Sequence, residues 1–137
     1  MLRRLADQLR HRLRRRRWTV TRTAGVRGED LAHRLLQSEK YRVVARNYRA
    51  ANGSGEIDLV AWDGEMLAMV EVKSRASEDF GLPERAITEA KLKRMKSAAS
   101  EYARRAGVEW EQVRFDVVTV VGIGRPVLEL YRDALKR

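Results

Sequence analysis

Three charged side chains on two short apolar stretches have the types and spacing to do chemistry together. Asp58 lies in "EIDLVAW" (56–62), and Glu71 and Lys73 lie in "VEVKSR" (70–75). Both stretches read as strands, and strand residues two apart project from the same face. Glu71 and Lys73 therefore emerge side by side, with Val72 pointing the other way. Taken alone, this short and common pattern is best read as a salt bridge at a strand end, with Asp58 capping a turn. The wider combination is more specific. "DG" at 63–64 signals a hairpin, and pairing outward from that turn brings Asp58 near residues 69–70. Asp58, Glu71 and Lys73 then converge near one edge of the hairpin. Two carboxylates and a lysine so placed suit a hard divalent cation, Mg²⁺ or Mn²⁺, with its waters. Such an ion polarises a phosphoryl oxygen and acidifies a water, while the lysine orients that water or stabilises developing charge.

The elements around these residues follow from apolar spacing and turn chemistry. Gly25 and Gly28 introduce a helix near 28–39, whose face is Leu31, Ala32, Leu35 and Leu36, with Glu29 in its first turn. "YRVVARNY" (41–48) reads as a strand and "ANGSG" (51–55) as a loop. After the hairpin the third strand is 66–73, followed by a loop at 76–82. Pro83 suits the first position of a long helix reaching about Ala106. Ile87, Met95, Ala99, Tyr102 and Ala106 supply its buried face, and Gly107 its C-cap. "VRFDVVTVVG" (113–122) is apolar enough for a central strand covered on both faces. Pro126 starts a last short strand, "VLELY". The expected fold class is α/β, in the order helix, three strands, helix, strand and one more strand.

A chain of 137 residues with 44% hydrophobic content fits one domain with a real core. No run approaches the length of a membrane span, and no apolar signal-peptide core is visible. There is no cysteine, which fits a reducing compartment, and a cytoplasmic location is the expectation. The net charge of +10 is unevenly placed. Residues 1–27 hold ten Arg against one Asp, and the remainder holds 19 Lys and Arg against 18 Asp and Glu. The chain thus divides into a basic N-terminal arm, 1–24, and a nearly balanced domain, 25–137. Leu2, Leu5, Leu9 and Leu13 make one helical stripe in the arm. A solvated tail is the plainest account of it, and phosphate binding or contact with an anionic membrane are the others.

The quoted motifs also resemble a known family. "GEDLA" (28–32), "RNYR" (46–49), "GEIDLV" (55–60), "VEVKSR" (70–75), "FGLPERAITEAKLKRM" (80–95) and "RFDVVTV" (114–120) are similar to the bacterial YraN family. That group belongs with the PD-(D/E)xK nuclease superfamily and is related to Holliday-junction resolvases. The resemblance spans roughly residues 25–120. It implies a restriction-endonuclease-like αβββαβ core, with a mixed central sheet flanked by helices and the basic arm outside it. It implies Asp58 and Glu71 as metal ligands, the backbone carbonyl of Val72 as a further one, and Lys73 as the motif lysine. Glu29 corresponds to the helix acid of resolvase-like members, which adds it to the catalytic and metal set. The motif proline is absent; Glu56-Ile57-Asp58 stands in its place. By strand parity Glu56 shares the face of Asp58, so it is either an outer ligand or a partner of Arg49 or Arg75.

Arg46, Asn47, Tyr48 and Arg49 suit phosphate contact or base stacking, or else an exposed strand end with Tyr48 packed inward. Arg75 and Lys91 are further candidates for the nucleic-acid backbone, and Lys91, one helical turn after Ile87, reaches the site if that helix packs behind it. For Lys93, Arg94 and Lys96 a solvated helix face is favoured, and Asp116 reads as a buried acid paired with an Arg. His11, in the arm, and His33, on an exposed-looking helix face, imply no zinc site and no His-based catalysis. The resulting expectation is a metal-dependent endonuclease acting on branched, nicked or single-stranded DNA in recombination or repair. The alternatives are a non-catalytic nucleic-acid-binding module and an adaptor for a recombination helicase. Resolvase relatives act as dimers, so a homodimer belongs to the same expectation.

Overall fold

The computed structural model describes residues 16–19, 28–75, 87–122 and 124–137. The leucine stripe of residues 2–13, His11 and Pro83 lie outside them. In chain order the elements are β1 (Arg16–Thr19), α1 (Gly28–Ser38), β2 (Arg42–Arg49), β3 (Glu56–Asp63), β4 (Met66–Arg75), α2 (Glu89–Ala106), a 3-10 turn (Trp110–Gln112), β5 (Val113–Val121) and β6 (Val127–Leu135). The strands form one mixed sheet in the order β1-β6-β5-β4-β3-β2. Among the described residues only β4 and β5 run parallel, and a parallel pair requires a crossover, which α2 supplies.

The helices cover opposite faces. Leu31, Ala32, Leu35 and Leu36 of α1 pack on Leu59, Ala61, Ala68, Val70 and Val118. Met95, Ala98, Ala99 and Ala103 of α2 pack on Ile57, Val60, Leu67, Met69 and Phe115. Burial on both faces explains why β4 and β5 read as nearly continuous apolar runs.

Several expectations need correction. The hairpin pairs Asp63 with Met66 and Leu59 with Val70, so its loop is Gly64-Glu65 rather than 63–64. The register therefore carries Asp58 on to the level of Glu71, not of residues 69–70. The helix expected from Pro83 begins at Glu89, where the Thr88 hydroxyl accepts from the Lys91 amide at 3.0 Å. A threonine cap defines this start more strongly than a proline can. Ile87 precedes the helix, although it is buried. Ala106 is exposed and Ala103 takes its place in the buried face. Gly107 closes the helix in the left-handed conformation at φ 69°, as expected. The final strand runs nine residues, beyond "VLELY", and His33 is half-buried rather than exposed.

One irregularity positions the site. Ile57 and Val60 are three residues apart, yet both lie beneath α2, while Leu59 and Ala61 lie beneath α1. Alternation thus slips by one residue at Asp58, so strand parity does not carry from Glu56 to Asp58. On β2, Asn47 holds φ 51°, between the pairs Arg46↔Leu59 and Tyr48↔Ile57. Asn tolerates this left-handed conformation better than most residues, and the two strands change face together.

Candidate functional site

The ladder between β3 and β4 reaches Leu59↔Val70, whereas the ladder between β4 and β5 continues to Arg75↔Val121. The last five residues of β4 are therefore held by β5 while β3 turns away. Asp58 stands where the strands part, and its Oδ2 accepts from the Val72 amide at 2.8 Å. The side chain takes over a bond that the missing ladder would have supplied.

Glu71 is buried at this parting. Its carboxyl is raised from 4.5 to about 8, first by burial, then by its hydrogen bond with Asp58 and by the Asp58 charge. The nearby charges of Lys91 and Lys73 pull the other way. The cation within ion-pair distance of Glu71 is Lys91, with Nζ 3.5 Å from Oε2. A Glu71–Lys73 salt bridge is thus not what the structure forms among the described residues. Lys73 lines an open cleft of about 720 Å³ with Gly28, Glu29, Asn47, Arg49, Val72 and Ser74. Gly28 permits α1 to start here, since a Cβ would fall 2.2 Å from the Ser74 hydroxyl.

Glu29 borders the same cleft. With its nitrogen turned toward the carboxylate, the Asn47 amide donates to both Glu29 oxygens at 3.2 Å. Arg46 bonds Asp30 at 2.6 Å and lies 3.9 Å from Glu29. Arg46 and Asn47 are therefore engaged with the acids of α1. Tyr48 turns to the other face, donating to Glu101 at 2.5 Å and meeting the Tyr102 ring edge-on at 5.1 Å. That is the packed-in alternative for Tyr48. Arg49 is well exposed and lies 3.6 Å from Glu56, the pairing that sequence offered for Glu56. Glu56 also lies 3.9 Å from Lys91. Arg75 ends β4 opposite Val121 and lines neither cleft.

A second cleft, of about 280 Å³, is lined by Arg49, Gly53, Gly55, Glu56, Lys91 and Arg94. Arg49 stands between the two clefts. Gly55 brings the β2–β3 loop onto α2, where a Cβ would lie 2.0 Å from the Arg94 carbonyl. Lys91, expected to reach the site if this helix packs behind it, does so, and Arg94 is exposed as expected while its backbone meets the β2–β3 loop.

Among the described residues, no three Asp, Glu, His or Cys side chains converge as a metal cluster. The donor set is the hydrogen-bonded pair Asp58–Glu71. Such a pair fits Mg²⁺ or Mn²⁺, which binds through one or two carboxylates and keeps several waters. A divalent ion would relieve the repulsion between the two carboxylates.

Away from this site, Asp116 is fully buried. It accepts from Tyr41 at 2.7 Å, from Arg114 Nε and Nη2 at 2.8 Å, and from the Asp133 amide at 2.8 Å. Arg114 continues to Asp63 at 2.7 Å, and Arg132 reaches Asp63 at 3.3 Å. The expectation of a buried acid paired with an Arg is met. No helix among the described residues is long and apolar enough to cross a membrane.

The family model described as "Uncharacterised protein family UPF0102" matches residues 28–120. A UPF0102 protein of Solibacter usitatus is 54% identical over 123 residues, covering 90% of this chain and 92% of that one. One of Rhodococcus jostii is 43% identical over 112 residues, covering 80% and 93%. One of Symbiobacterium thermophilum is 46% identical over 101 residues, covering 74% and 84%.

Proposed function

Given that the chain belongs to the UPF0102 family, we propose that it is a metal-dependent endonuclease hydrolysing phosphodiester bonds in DNA. Branched, nicked or single-stranded forms are the substrates, and recombination or repair is the setting. The observation that carries this reading is the Asp58–Glu71 pair at the parting of β3 and β4, with Glu71 buried, its carboxyl raised by burial and by Asp58, and the Lys91 ammonium 3.5 Å away. Consistent with it, α1, β2, β3, β4, α2 and β5 follow the αβββαβ order of restriction-endonuclease-like nucleases.

Asp58, Glu71 and the Val72 carbonyl would hold Mg²⁺ or Mn²⁺, which supplies a polarised phosphoryl oxygen and an acidified water. Lys73, two residues along the same strand face, offers its ammonium to the water or to charge developing on the phosphate. Arg49, exposed between the clefts, is placed to hold a backbone phosphate. Glu29 joins the set only if Asn47 releases it.

A panel of flap, fork, four-way junction, single-strand and duplex substrates tests this, with Mg²⁺ or Mn²⁺ and Glu71→Ala as control. Metal-dependent cutting that Glu71→Ala abolishes is the expected result. Failure of the pure wild-type protein to cut any of them would overturn the reading. The engagement of Glu29 by Asn47 favours one second reading, a non-catalytic nucleic-acid-binding module, alone or as adaptor to a DNA-processing helicase. Under it, Asp58→Asn keeps both DNA binding and cellular phenotype.

A further inference from the structure

Glu71 is buried beside a second carboxylate, and the negative charge of the pair needs an offset in the absence of a divalent ion. Lys73 is the neighbour in sequence, but Lys91 is the neighbour in space. Its position is built in: the Thr88 cap fixes the first turn of α2, and the Gly55 contact with Arg94 holds the β2–β3 loop, and so Glu56, against that helix. The ammonium sits 3.5 Å from Glu71 and 3.9 Å from Glu56. Glu71 is the buried member of the two; Glu56 stands at the exposed rim. The cleft of about 280 Å³ opens beside the lysine and is lined by both Glu56 and Lys91.

We propose that Lys91 is a built-in counter-cation, an ammonium that neutralises the Asp58–Glu71 pair until a divalent ion displaces it onto Glu56. The proposal rests on the reading that Asp58 and Glu71 bind such an ion. Lysine suits the task, being a compact point charge on a flexible stem; a guanidinium forks onto a carboxylate and releases it less readily. Glu56 is then neither a ligand nor a bystander. It receives the displaced ammonium, so that each carboxylate keeps a cation before and after the exchange. Arg49, 3.6 Å from Glu56, is loosened as Lys91 arrives and becomes available to a phosphate.

Calorimetric titration with Mg²⁺ tests this at about pH 9, where even buried carboxylates shed their protons. Lys91→Met should tighten Mg²⁺ binding about tenfold, because a competing unit charge a few ångströms away is gone. Lys91→Arg should not tighten it. Glu56→Gln should weaken binding about threefold in the wild-type background and leave it unchanged in Lys91→Met, since its effect runs through the lysine. Metal-free Lys91→Met should melt below the wild type and gain more from Mg²⁺. Equal or weaker binding by Lys91→Met overturns the proposal while sparing the metal site. So does a Glu56→Gln loss that persists beside Lys91→Met, which would make Glu56 a ligand. If neither wild type nor Lys91→Met binds Mg²⁺, the metal reading itself falls, and this one with it. Glu56→Gln alters an exposed rim residue and carries the test if Lys91→Met does not fold.

Discussion

Glu71 gives this fold one source of pH dependence. Its folded value of about 8 lies above the unfolded 4.5, because burial comes first and Asp58 adds to it. Between those values the folded chain keeps a proton that the unfolded chain has released. Stability contributed by that proton is fully present below about 4.5 and is lost as pH rises through about 8. Urea unfolding from about pH 5 to about pH 9 should show this decline, and Asp58→Asn should flatten it by removing the neighbouring charge. An unchanged slope in Asp58→Asn would mean that burial alone sets the shift. Lys73 makes a different prediction. An ammonium cannot ligate a cation, so Lys73→Ala should cost about 10²–10³ in cleavage rate with Mg²⁺ affinity nearly unaltered. Parallel losses in rate and affinity would assign Lys73 to holding the metal site together instead.

At the scale of elements, the Asp116 cluster ties four strands at the end of the sheet away from the clefts. Tyr41 leads into β2, Asp63 ends β3, Arg114 and Asp116 belong to β5, and Arg132 and Asp133 belong to β6. Asp133 has φ 54° at a bulge, and Asp116 receives the amide that the bulge displaces. Asp116→Ala would leave the half-buried Arg114 with Asp63 alone as its counter-charge and that amide unpaired. Chemical denaturation should register a loss of about 3 kcal/mol, with the cleft residues undisturbed; a loss below about 0.5 kcal/mol would mean that water replaces the carboxylate. This cluster also shows what sequence could and could not give. Asp116 amid valines announced a buried acid paired with an Arg, and the structure makes that Arg the one at 114. Tyr41, 75 residues distant, could only be supplied by the register. The same holds at the site. The chain order of elements from α1 to β6, the face of α1, and Asp58 with Glu71 were legible from period and turn signals. The slip of alternation at Asp58 was not, since a face change leaves no mark on local apolar spacing. Nor was the start of α2 at the Thr88 cap, and although Lys91 read as within reach of the site, its partner Glu71 could be supplied only by the packing of that helix.

For the whole molecule the main asymmetry is charge. Residues 1–15 carry six Arg and one Asp, half of the net +10. If these charges neutralise phosphates, deleting residues 1–15 should weaken DNA binding at low salt and flatten the slope of log affinity against log salt. Cleavage at saturating DNA should change little. Identical slopes for both proteins would dismiss the arm as a DNA clamp. The cut belongs at residue 15 because Arg16–Thr19 is a strand, pairing Arg16 with Leu130 and Thr19 with Val127 along β6. That strand has a colloidal consequence. The opposite border of the sheet, β2, is guarded by exposed Arg42, Arg46 and Arg49 and by the kink at Asn47, devices that discourage one sheet from adding to another. β6 reads "VLELYRDAL" and has only β1 beyond it. A chain cut at residue 22 instead of 15 offers that row of backbone groups to its neighbours. Light scattering should find the longer deletion self-associating as concentration rises, and the shorter one monodisperse.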